Sequence, residues 1–143
     1  MSVVPVSVVI DASLTMAWYF EDESTPATDA VLDRVSGSGA VVPGLWRLEV
    51  ANAFQTAVRR QRIDAVYRDA SLAELGFMPI TIDADTNGYA WSTTLRLAER
   101  FALTLYDAAY LELAQRRSLP LATLDRDLRA AAPAVNVDLL GTV

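Results

Sequence analysis

The 143-residue sequence predicts an α/β fold, read as one domain over residues 1–143: a central parallel sheet of short strands, flanked by helices on both faces. Three observations predict it. Short β-branched, apolar runs alternate with longer segments whose apolar residues recur at helical spacing. Such alternation builds parallel strands joined by right-handed helical crossovers. The chain has no repeat, low-complexity tract or linker, and at 52% hydrophobic and 21% charged residues it has the makings of one core. A domain of this length buries about 70% of its unfolded surface.

Each element has a local reason. Val6-Ser7-Val8-Val9-Ile10 is an apolar run ended by Asp11, the pattern of a strand buried on both faces. Ser13 is expected to cap a helix through about Phe20. A second helix starts after Thr25-Pro26, turns Ala30, Val31 and Val35 inward, and stops at Gly37-Ser38-Gly39. Ala40-Val41-Val42 is the second strand, and Pro43-Gly44 turns the chain. From Leu45 to about Gln61, Trp46, Val50, Ala53, Phe54 and Ala57 form one helical stripe. Ile63-Asp64 interrupts it, and another helix follows to about Leu75. Ile80-Thr81-Ile82 is the third strand. Helices are predicted at Thr86–Arg100 and Asp107–Arg117, a fourth strand at Leu121-Ala122-Thr123, a short helix at Asp125–Ala131 and a last strand at Val135-Asn136-Val137.

Composition narrows the chemistry. The chain has no Cys and no His, and all twelve of its basic residues are Arg. That excludes disulfides, thiolate nucleophiles, Cys-ligated metals, an imidazole base, a Ser-His-Asp triad, a Schiff base and a P-loop lysine. Carboxylates, hydroxyls, Arg and backbone amides remain, so an enzyme built on this chain is a carboxylate enzyme. Ligands of an open parallel sheet bind outside the carboxyl ends of its strands. Asp11 follows the first strand, Glu49 lies early in the helix after the second, Asp107 opens a later helix, and Asp125 lies just past the fourth strand. Four carboxylates gathered there repel one another unless protonated or neutralised, and with oxygen-only ligands the usual neutraliser is Mg²⁺ or Mn²⁺. Each acid also has a purely structural role open to it. Asp11 can make an Asx turn, Glu49 can pair with an Arg, Asp107 can sit in a capping box with Thr104, and Asp125 or Asp127 can cap a helix.

Four segments carry a resemblance. Val9-Ile10-Asp11-Ala12-Ser13, Trp46-Arg47-Leu48-Glu49-Val50-Ala51-Asn52, Tyr106-Asp107-Ala108-Ala109-Tyr110-Leu111-Glu112-Leu113-Ala114 and Ala122-Thr123-Leu124-Asp125-Arg126-Asp127-Leu128 resemble, in order, the four acidic motifs of PIN-domain ribonucleases, and most of all the bacterial VapC-type toxins. The resemblance spans Val8 to about Leu140. It implies a single PIN-like domain and a Mg²⁺- or Mn²⁺-dependent endoribonuclease, the toxin of a type II toxin–antitoxin pair. Asp11, Glu49, Asp107 and Asp125 match the catalytic, metal-holding quartet. Ser13 and Thr123 match its supporting hydroxyls, and Asp127 is an accessory acid or a plain first-turn residue. It further implies an RNA substrate, a cognate antitoxin covering the active-site groove, and a homodimer.

Other features are weighed beside it. The net charge of −6 is unusual for an RNA-binding surface, though bound divalent ions would offset it locally. Arg59, Arg60, Arg62 and Arg68 form the densest basic patch, which could hold phosphates but reads foremost as a solvated helix face; Arg116 and Arg117 suit a helix C-terminus. Trp18, Tyr19 and Phe20 are consecutive, so one helix face cannot bury all three; the core takes most of them, and one or two are left available for a partner surface, a dimer or a bound helix. Met1-Ser2-Val3-Val4-Pro5 lacks a charged secretory n-region, and no apolar run nears the roughly 20 residues that span a bilayer, so a soluble cytoplasmic protein without a membrane partner is expected. Two rival functions remain: an aspartyl-phosphate phosphotransfer enzyme using Asp11, disfavoured by Ser13 where such enzymes carry a second Asp and by the missing Lys, and a non-catalytic PIN-like binding module.

Overall fold

In the computed structural model, which describes residues 7–142, five short strands form one parallel sheet. They are β1 (Val8–Ile10), β2 (Ala40–Val42), β3 (Ile80–Ile82), β4 (Leu121–Ala122) and β5 (Leu139–Leu140), in the spatial order β3-β2-β1-β4-β5. Central β1 is wholly apolar and 0% exposed, as a strand covered on both faces must be. The edge strands β3 and β5 are only partly covered. Val6 and the Met1–Pro5 segment lie outside the described residues.

The connecting helices are α1 (Ala12–Ala17), α2 (Pro26–Ser38), α3 (Leu45–Arg59), α4 (Ala65–Gly76), α5 (Thr93–Phe101), α6 (Leu105–Arg117) and α7 (Arg126–Ala131). Thr25 caps α2 in a capping box with Thr28, and Pro26 sits in the first turn, where its missing N–H costs nothing. Gly39 ends that helix at φ 79°, and a Cβ there would meet Pro79 O at 3.0 Å. The α3 stripe buries Trp46, Val50, Phe54 and Ala57.

Four expectations are corrected. Asp11, not Ser13, caps α1, accepting the Leu14 N–H at 2.9 Å, and the helix ends at Ala17. Ala30 is exposed, because Thr28, Val31 and Val35 take the inner face of α2. The segment 86–100 is not one helix: a 3₁₀ turn (Thr86–Tyr89) gives way at Ala90–Ser92 before α5 begins. The last strand is Leu139–Leu140, since a 3₁₀ turn through Pro133 runs to Val135 and Asn136 adopts φ 60°, which strand geometry forbids.

The aromatic run is also drawn inward. Phe20 is buried, Tyr19 stacks edge-on against Phe54 with centroids 5.6 Å apart, and Trp18 Nε1 donates to Thr28 O at 3.0 Å. The exposed aromatics lie elsewhere, led by Trp91 and Phe77. Arg116 does more than face a helix end. Its guanidinium bridges buried Glu112 (Nε to Oε1, 2.7 Å) and buried Asp83 just past β3 (Nη2 to Oδ2, 2.7 Å), with Arg117 3.6 Å from the same Asp. Burial alone would raise the Asp83 carboxyl; hydrogen bonds from Arg116 and Thr86, with the Arg116 charge, outweigh it and hold the group below its ordinary value. Among the described residues, no helix is long and apolar enough to cross a membrane.

Candidate active site

The chain leaves β1 towards β2 on one side, while β4 and β5 lie on the other, so the topological switch point falls between β1 and β4. A crevice outside the carboxyl ends of two such strands is where open α/β sheets bind ligands. Ile10 pairs with Ala122, which sets the next residues, Asp11 and Thr123, side by side at that point.

Asp11 is 5% exposed. Thr123 Oγ1 donates to its Oδ2 at 2.5 Å; Ser13 Oγ and the Leu14 N–H donate to its Oδ1 at 2.7 and 2.9 Å. The same hydroxyls reach onward: Ser13 Oγ accepts the Leu124 N–H at 3.0 Å, and Thr123 Oγ1 accepts the Asp125 N–H at 2.9 Å. Three short polar residues therefore stitch the end of β1 to the β4–α7 turn. Even with three donors, burial pushes the Asp11 carboxyl up to about 6, and the neighbouring Asp125 charge adds to the rise.

The other acids enter from three helices. Glu49, half-buried on α3, accepts a hydrogen bond from the Tyr110 hydroxyl at 2.5 Å, not from an Arg. Asp107, half-buried in the first turn of α6, follows the N-cap Thr104, whose Oγ1 accepts the Asp107 N–H at 3.1 Å. Asp125 caps α7 through the Leu128 N–H at 2.9 Å. Burial raises the Glu49 carboxyl, opposed by the Tyr110 hydrogen bond and reinforced by the Asp107 charge. Burial also raises Asp107, reinforced by Asp125 and by exposed Asp127. The capping role open to Asp125 in the sequence is thus real, Asp11 caps a helix where the sequence pointed to Ser13, and both residues also belong to one repelling acidic group.

The charges feel one another without forming a closed cage. Among the described residues, no three carboxylates converge tightly enough to enclose a metal ion unaided. Nor do the ion pairs formed among these residues neutralise the quartet: Arg62 pairs with Asp22 and Glu23, Arg68 with Asp69, and Arg116 and Arg117 with Glu112 and Asp83. An all-oxygen set in which Asp11, Glu49 and Asp107 are each raised by burial and a neighbouring acid, and which makes no ion pair among the described residues, fits Mg²⁺ or Mn²⁺, ions that keep several waters and need few direct protein ligands. In the basic patch, Arg62 and Arg68 are engaged with acids, which agrees with a solvated face. A groove of about 1290 Å³ between the α1–α2 loop and the α3–α4 turn, lined by Tyr19, Phe20 and Tyr67, lies apart from the quartet.

One participant was missed from sequence. Tyr110 lies inside the third acidic segment, three residues after Asp107 and so on the same helical face, and this spacing was the available signal.

Fold and site together define a class, and the chain belongs to the PIN domain family, whose profile matches residues 8–133. Ribonuclease VapC3 of Mycobacterium tuberculosis is 31% identical over 134 residues, covering 92% of each chain. Ribonuclease VapC1 of the same organism is 34% identical, covering 82% of this chain and 96% of its own. Among solved structures, PAE2754 of Pyrobaculum aerophilum superimposes with a TM-score of 0.66 at 26% identity, over 88% of this chain and 86% of that one. VapC20 of M. tuberculosis, described as a sarcin–ricin loop cleaving toxin, shares the fold with a TM-score of 0.57 at 18% identity, over 87% and 95% of the two chains.

Proposed function

We propose that this chain is a Mg²⁺- or Mn²⁺-dependent endoribonuclease, the toxin of a toxin–antitoxin pair, hydrolysing phosphodiester bonds in RNA. The observation that carries the reading is the buried, hydroxyl-clamped Asp11 at the switch point, coupled in charge to Asp125, which in turn acts on Asp107 and that on Glu49, while none of the ion pairs found among the described residues involves these four acids. The ribonuclease names of VapC3 and VapC1 support the reaction class.

Asp11, Asp107 and Asp125 would hold the ion, with Glu49 completing the set directly or through water. Bound there, the ion supplies Lewis-acid stabilisation of charge on the scissile phosphate and makes a water more acidic. Ser13 and Thr123 hold Asp11 in one orientation and occupy part of both its oxygens, so a ligand meets a prearranged carboxylate. Glu49 Oε1 is taken by Tyr110, which leaves Oε2 as the atom able to accept a proton or ligate. Exposed Asp127 adds negative potential beside Asp107. A cognate antitoxin covering the acidic edge, a second copy of the chain and a cytoplasmic place of work complete the proposal, with residues 1–143 acting as one domain.

The test is cleavage of a mixed single-stranded RNA panel in Mg²⁺, Mn²⁺ and EDTA, beside an Asp107→Asn variant. Asn keeps shape and removes charge. Cleavage that needs metal and vanishes in the variant supports the proposal; equal cleavage by both proteins refutes the quartet.

A further inference from the structure

Tyr110 has the burial of a core residue and the polar tip of a site residue. Its side chain is 1% exposed, among the largest fully buried ones in the protein. A ring there to fill space would be served by Phe, which brings no hydroxyl needing a partner. The Tyr110 hydroxyl instead donates to Glu49 Oε1 at 2.5 Å, across 61 residues of sequence, from α6 to α3. Among the described residues it is the one side-chain hydrogen bond that joins these two helices, which do not pack extensively along each other. Glu49 is half-buried at the border of the α3 stripe, and a side chain with its rotamer freedom could otherwise turn to solvent. Three residues before the phenol on α6 stands Asp107, whose charge acts on Glu49.

We infer that Tyr110 is the positioning residue of the acidic site: its buried hydroxyl anchors Glu49 Oε1 and thereby fixes Glu49 beside Asp107 for work on the divalent cation. The inference rests on the proposed metal-dependent function and deepens it. The buried ring supplies rigidity, the hydroxyl supplies a donor against the mutual repulsion of the acids, and the helical phase shared with Asp107 ties the two ligating elements to one lever. Partners of this kind, one bond behind a ligand, typically change metal affinity by about 10–100-fold when removed.

The experiment measures Mn²⁺ dissociation constants, from the spectroscopic signal of free Mn²⁺, for wild type, Tyr110→Phe, Glu49→Gln and the double variant. Thermal unfolding in EDTA and circular dichroism check the fold, and the Mn²⁺ dependence of RNA cleavage is a second readout. Tyr110→Phe keeps the ring and is expected to weaken Mn²⁺ binding about 10–100-fold with a native spectrum. Glu49→Gln should weaken it as well, and adding Tyr110→Phe to it should cost nothing more, because the hydroxyl acts only through Glu49. Unchanged affinity in Tyr110→Phe or in Glu49→Gln, or additive losses in the double variant, overturns the inference. Wild type that binds no Mn²⁺ overturns the metal-dependent reading itself, and the inference with it.

Discussion

Thr123 and Asp11 meet because their strands are in register: Ile10 pairs with Ala122, so the next residue of each strand lies at the same sheet edge, and the Thr123 hydroxyl donates to Asp11 Oδ2 at 2.5 Å. Thr123 Oγ1 also accepts the Asp125 N–H at 2.9 Å. One methyl-bearing side chain, itself 0% exposed, therefore holds two of the four acids in relation to each other.

Thr123→Val keeps the volume and removes that oxygen. The partly buried Asp125 N–H and the buried Asp11 Oδ2 each lose a partner, which should cost about 1–3 kcal/mol of stability. Loss of the support behind Asp11 should lower metal-dependent cleavage by about 10–100-fold. Urea unfolding and cleavage rates of the purified variant check both. Stability and rate like those of wild type would show that the hydroxyl is incidental.

Asp11 makes the metal-free protein pH-sensitive in an unusual direction. Its carboxyl ordinarily titrates near 3.8 and in the folded chain near 6, chiefly through burial. The folded state thus binds more protons than the unfolded state between those values. The associated stability is fully present below about pH 4 and is lost as pH rises through about 6, by about 3 kcal/mol in all. Asp11→Asn does not titrate there. In EDTA, the variant should therefore gain stability relative to wild type between pH 4 and 7.5. A difference that is flat with pH, measured by urea unfolding, would contradict the burial argument.

Arg116 neutralises two buried carboxylates at once. Arg116→Ala strands Glu112, which is 1% exposed, and should destabilise by about 3–5 kcal/mol. Arg116→Lys should recover only part of this, since one ammonium cannot reproduce the Nε contact to Glu112 and the Nη2 contact to Asp83 together. The Asp83 contribution has the opposite pH sign to Asp11: its lowered carboxyl lends stability above its ordinary value, lost as pH falls below it. Urea midpoints of the two variants at pH 7, and of wild type down to pH 3, test the pair.

Much of this was legible in the sequence where one local signal decided the outcome. Apolar runs, three of them rich in β-branched residues, marked four strands, and the Trp46–Ala57 stripe marked α3, because burial on one or two faces leaves a period in the chain. The acids at strand and helix ends were legible as well, since a sheet of this kind offers one edge to ligands. What was not legible depended on partners distant in sequence. Leu139–Leu140 is a strand because β4 offers it a free edge, whereas Val135–Val137 has the better β composition but follows a proline-bearing 3₁₀ turn. Trp18, Tyr19 and Phe20 all find cover, with Tyr19 and Phe20 against Phe54 of α3, which no helical wheel of α1 could indicate. Tyr110 stood within a segment read for its acid, and its partner Glu49 lies 61 residues away.

The central claim is that the four acids hold a divalent cation, and it can be tested without knowing the RNA target. Mn²⁺ binding to wild type and Asp11→Asn would be measured at pH 7.5, where the Asp11 carboxyl of the folded chain is largely ionised. Saturable binding to wild type, weakened at least about tenfold in a variant with a native circular dichroism spectrum, is the predicted result. Equal binding by the two proteins, or none by wild type, would contradict it.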